Sequence, residues 1–128
     1  MSPVALPACL VVLRSEFGFP RGTRIDIDRS PVLVGRTPPA DIVIGIVTMS
    51  RRQCRFELRD GTWWLADDAS TGGTSVNDEY HSEPQALVSG DRIGLGGLRV
   101  RFLTGPDLEA QYERERRALS ASDEASGV

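Results

Sequence analysis

Three stretches of the chain carry side chains suited to holding an anion: Gly35-Arg36, Ser50-Arg51-Arg52-Gln53, and Ser70-Thr71-Gly72-Gly73-Thr74 running on to Asn77. The guanidinium groups offer forked donors, the hydroxyls offer short side-chain donors, and the glycines let backbone N–H groups come close to a ligand. A dianionic phosphate suits all three, because hydrogen bonds to a charged acceptor are shorter and stronger than neutral ones. Spacing leaves open whether the three stretches meet. Taken singly, Arg36 also reads as a solvated arginine at a strand end, and Ser70 and Thr71 as ordinary turn formers.

The elements that would position these residues are short strands. Cys54, Phe56 and Leu58 alternate with Arg55, Glu57 and Arg59, giving one apolar and one charged face. Asp60-Gly61 is a hairpin signal leading into Thr62 to Asp67, and Leu98, Val100 and Phe102 alternate with Arg99 and Arg101. Further strands are expected near Leu10 to Arg14, Arg24 to Ile27, Val32 to Gly35, Ile42 to Ile44, Ser75 to Val76 and Arg92 to Leu95. Repeated short strands broken by Gly, Pro and Asp indicate an all-β sandwich or barrel, which gathers its loops at the ends. Trp63 and Trp64 are neighbours on a strand, so one should be buried and the other at least partly exposed. After Gly105-Pro106 the chain changes character. Asp107 is suited to cap a short helix reaching Leu119, and residues 120–128 are too polar to repay ordering and are expected to be a disordered tail.

Composition narrows the function. With 128 residues there is room for one domain: 1–105 as the β domain, 106–119 as a helix, 120–128 as tail. The net charge is −3, and all 15 basic residues are arginine, which speaks against non-specific nucleic-acid binding. The apolar run Val4 to Leu13 falls far short of a membrane span and reads as a first strand, not a signal. Cys9 and Cys54 are too few for a disulfide scaffold and sit among apolar neighbours, which fits a reduced, cytoplasmic setting. His81 is the one histidine, no activated nucleophile accompanies it, and the glycine-rich segments lack a following helix and a phosphate-binding lysine. Neither an enzyme nor a metal or cofactor site is expected.

The ordered set Gly35-Arg36, Ser50-Arg51, Ser70-Thr71-Gly72-Gly73-Thr74 with Val76-Asn77, then Gly90-Asp91 with Ile93 and Gly96, resembles the forkhead-associated (FHA) family across Val32 to Phe102. That resemblance implies an eleven-stranded sandwich of two sheets whose loops bind a phosphothreonine segment of a partner protein, such as a Ser/Thr kinase or its substrate. It implies phosphate contacts from Arg36, Ser50, Arg52 and Thr71, and peptide contacts from Arg51 and Gly72. Gly35, Gln53, Gly73 and Asn77 take structural places. Two positions depart from the family pattern. Gln53 stands where a bracing histidine is usual, and Gly72 where an asparagine usually holds the peptide backbone. These departures keep a second reading open, a degenerate scaffold of the same fold that binds partners without phosphate.

Overall fold

The computed structural model describes residues 6–16 and 18–126, with side chains up to Ala121. Its strands are β1 (Ala8–Ser15), β2 (Arg24–Ile27), β3 (Val32–Gly35), β4 (Ile42–Val43), β5 (Cys54–Arg59), β6 (Thr62–Asp67), β7 (Thr74–Val76), β8 (Glu79–Tyr80), β9 (Gln85–Ala86), β10 (Arg92–Leu95) and β11 (Leu98–Thr104). One sheet runs β2-β1-β11-β10-β7-β8 and the other β4-β3-β5-β6-β9. Neighbours pair antiparallel except β3 with β4. This is the expected two-sheet sandwich.

Alternation explains how the sheets close on each other. Cys54 and Phe56 of β5, Trp63 and Leu65 of β6, and Val100 and Phe102 of β11 all point into one core and are almost fully buried. The rings of Phe56 and Phe102 stack across the sheets, 6.2 Å between centroids and 9° between planes. Burying such aromatic area is a large part of what stabilises a sandwich. Trp63 is the buried tryptophan and donates its indole N–H to the Leu6 carbonyl at 3.0 Å. Trp64 is half-buried on the outer face, where the Arg59 guanidinium lies 4.8 Å from its ring centre. Asp60 and Gly61 both take positive φ, as a tight two-residue hairpin requires.

The first strand is longer than expected and starts at Ala8; Val4 and Ala5 lie outside the described residues. Its pairing with β11 slips by one residue between Val12 and Arg14, so Leu13 and Arg14 together face Arg99 across a bulge. Strands β8 and β9, two residues each, had no counterpart in the alternation pattern, because so short a pair carries no period.

The C-terminal helix is α1 (Leu108–Ser126), which starts directly after the expected cap Asp107. Its helical backbone runs on past Leu119 through residues 120–126. Ala and Glu in that segment are good helix formers, which lets a helix already anchored on the sheet propagate. Gly127 and Val128, the end of the expected tail, lie outside the described residues. Leu108 is buried with Cys9, Val11 and Leu103 on the outer side of β1 and β11, and Tyr112 and Leu119 pack against them. Burial pushes the Cys9 thiol up to about 11. Cys54, wholly inside the core, is pushed up by the same cause, and both cysteines are free thiols.

Candidate functional site

The loops that follow β3, β4 and β6 meet at one end of the sandwich, together with the turn between β10 and β11. They surround an open cleft of about 930 Å³ lined by Arg36, Ser50, Arg51, Arg52, Thr71 and Gly72. The three anion-suited stretches therefore do come together.

Backbone hydrogen bonds begin the assembly. Arg36 N–H donates to the Ser50 carbonyl and Gln53 N–H to the Val34 carbonyl, each at 2.9 Å, so residues 50–53 run beside the end of β3. A Cβ on Gly35 would fall 1.9 Å from the Arg51 carbonyl oxygen, so this approach requires glycine. Gln53 completes the join. Its side chain is fully buried, its Oε1 accepts from Ser50 N–H at 3.1 Å, and its Nε2 donates to the Gly73 carbonyl at 2.9 Å and to Thr74 Oγ1 at 3.1 Å. A buried amide left unpaired is costly, whereas one paired three times becomes a directional tie between two loops.

A second tie is the Ser50 hydroxyl, whose oxygen accepts from Thr71 N–H at 2.9 Å. Asp67 fastens the far side of the same loop. Its carboxylate accepts from Ser70 N–H at 3.1 Å, from the Ser70 hydroxyl, and from Thr74 Oγ1 at 2.8 Å. Thr74 is buried and belongs to this network, a role that its place after two glycines did not reveal. Its entry into a strand with its side chain turned to the core was the available signal.

The arginines differ in their engagements. Arg36 is half-buried, its Nη1 donates to the Val47 carbonyl at 3.5 Å, and it has no carboxylate partner among the described residues. Arg51 is exposed. Arg52 is taken up by Asp68, with Nε and Nη2 each 2.8 Å from Oδ2. That pair was not foreseeable from spacing, since sixteen residues separate its members. Gly72 is exposed, and a Cβ built on it would meet nothing within 4 Å. Gly73 has φ +81° and lies against the Tyr80 ring, 2.8 Å from a built Cβ to Cδ1.

Asn77 stands away from the cleft, in the two-residue turn between β7 and β8. With φ +50°, it donates through Nδ2 to Asp91 Oδ1 at 3.0 Å and accepts from Arg92 N–H at 2.9 Å, which ties that turn to the start of β10. Among the described residues, no three His, Cys, Asp or Glu side chains are grouped so as to hold a metal ion.

The family model of the FHA domain matches residues 32–96, which covers the cleft loops and the strands between them. The chain belongs to the FHA family. The oxoglutarate dehydrogenase inhibitor of Corynebacterium diphtheriae is 38% identical to this FHA protein over 105 residues, 82% of this chain and 73% of that one. The glycogen accumulation regulator GarA of Mycolicibacterium smegmatis is 37% identical over 101 residues, 79% of this chain and 63% of that one. An FHA domain solved in a study of phosphothreonine-dependent FHA interactions superposes with a TM-score of 0.66 at 25% identity, covering 78% of this chain and 98% of that domain. In this FHA domain the buried Gln53 spans the two cleft loops from the place where the family pattern has histidine.

Proposed function

We propose that this FHA domain binds phosphothreonine in a partner protein through the cleft, and so recruits phosphorylated partners in signalling. It is a binding module, not an enzyme. One observation carries the assignment to the cleft: Arg36, Ser50 and Thr71 line one open space, and the guanidinium that projects there from Arg36 has no carboxylate partner among the described residues. We assign the charge-assisted contact with the phosphate to Arg36, and the flanking donors to Ser50 and Thr71. Arg51 and Gly72 lie along the path of the peptide. Arg52 reaches the phosphate only by exchanging Asp68 for it. The partner class is a phosphothreonine-bearing protein such as a Ser/Thr kinase or its substrate. The named roles of the relatives, an inhibitor and a regulator, support action by binding. No helix among the described residues is long and apolar enough to cross a membrane, and two free buried thiols support a cytoplasmic location.

The test is titration against a phosphothreonine peptide library with unphosphorylated controls. Binding is expected only for phosphorylated members, weakening with added salt and fading below about pH 6 as the phosphate loses its second charge. Equal binding of both sets would favour the degenerate scaffold instead.

A further inference from the structure

The outer face of the six-stranded sheet is divided. Helix α1 covers Cys9, Val11 and Leu103, whereas toward the cleft the same face carries the exposed arginines Arg14 and Arg99. The bulge in β1 places Arg14 directly opposite Arg99, with Gly94 next along the row, then Ser75, then Tyr80 on the edge strand. Like charges facing each other across neighbouring strands cost stability, and an anion bound between or above them would offset that cost. Arg14 has no carboxylate partner among the described residues, and Arg99 keeps part of its guanidinium on Asp78 at 3.1 Å. Asp78 also holds Arg92, at 2.9 Å.

This row is also concave. A groove of about 190 Å³ runs over it, lined by Arg14, Arg99, Ser75 and Tyr80. Gly94 makes the floor, where a side chain would meet Ser75 Oγ at 2.4 Å. The groove and the cleft share Glu16, Gly72, Gly96 and Gly97 as a common rim, so a chain bound in one can continue into the other over glycine. Glu16 is the acidic group on that rim, against Arg14, Arg99, Arg36 and Arg51 on the two sides.

We propose that this groove takes an aspartate- or glutamate-bearing segment of the peptide whose phosphothreonine sits in the cleft, with Arg14 and Arg99 as its contacts. The inference rests on the phosphothreonine reading of the cleft. It makes the domain selective for phosphothreonines with acidic residues on one side.

The experiment uses three phosphothreonine peptides of equal length, with aspartates before the phosphothreonine, after it, or on neither side, titrated calorimetrically. One acidic peptide is expected to bind about three- to tenfold tighter than the neutral one, the range of two partly exposed ion pairs. In R14Q/R99Q that ratio falls to about one, and in R14E/R99E it inverts. Thermal melts of both variants accompany the titrations, and either variant alone is sufficient. A parent that ignores acidic flanks, or a preference that survives both variants, overturns the groove while leaving the cleft intact. A parent that binds none of the phosphopeptides overturns the cleft reading itself, and the groove with it.

Discussion

The cleft end and the helix-covered face of this domain solve the same task, joining segments distant in sequence, by opposite means. At the cleft a polar side chain is drawn fully inside, and Gln53 links two loops through three hydrogen bonds. Under α1, apolar side chains are inside and charges remain outside, with Arg24 in forked contact with both Glu109 oxygens at 2.7 Å and its guanidinium 4.9 Å from the Tyr112 ring centre. Apolar burial is strong and undirected, so it fixes that the helix docks more firmly than how it is oriented. Hydrogen bonds in a buried network are directional, so they fix where Ser50 and Thr71 stand. A ligand site needs the second kind of order.

The comparison is broken most forcefully at Gln53. Gln53→Ala leaves Ser50 N–H and the Gly73 carbonyl without this partner and opens a cavity, so a loss of about 2–4 kcal/mol in urea-denaturation stability is expected. Leu108→Ala, at the helix, is expected to loosen α1 without altering phosphopeptide affinity. If Gln53→Ala keeps full affinity while destabilised, the amide does not position the cleft.

Next in size is Arg36→Ala, which removes the charge-assisted contact and about 1.5–3 kcal/mol of binding, or one to two decades in Kd, with the melting temperature nearly unchanged. Calorimetry on a phosphothreonine peptide reads both. A smaller effect is expected at Gly72. Its side chain would project into open space, and Gly72→Asn should tighten binding by about 0.5–1.5 kcal/mol, one net hydrogen bond. Gly72→Ala isolates the backbone contribution, and no gain of Asn over Ala would dismiss the missing amide as the limit on affinity.

The smallest effect separates the two regions by pH. The Arg24 guanidinium holds the Glu109 carboxyl below its ordinary value of 4.5. Since the folded value is the lower one, the pair's contribution is fully present above the ordinary value and is lost as pH falls through the folded one. The stability difference between parent and Glu109→Gln, measured by denaturation, is therefore expected near pH 7 and should shrink as the pH falls below the ordinary carboxyl value. An unchanged difference at low pH would mean that the pair does not hold the helix.

Much of this was legible in sequence, and unevenly so. Strands β5 and β11 announced themselves by alternation and β1 by its apolar run, and the ordered loop landmarks pointed to the cleft before its loops were seen to converge. Three kinds of information were not in the pattern. Strands of two residues have no period, the helix end lacked a stop signal before Ser126, and long-range polar pairs such as Arg52 with Asp68 depend on loop paths that local chemistry does not encode. Gln53 was visible as a departure, but its complete burial and its three partners depended on the sandwich around it.

The one-residue slip in β1 has a consequence for how this chain tolerates insertion and deletion. In a strict alternation through Leu13, Arg14 would turn toward the core, and the bulge that absorbs Leu13 is what keeps it outward opposite Arg99. A deletion at Leu13 would make Arg14 the immediate neighbour of Val12, still outward and still opposite Arg99, and would leave a regular ladder. The bulge is therefore where this strand can lose a residue without turning over, whereas a one-residue deletion between Ala8 and Val12, where the pairing is regular, would turn the side chains on one side of the gap to the opposite face.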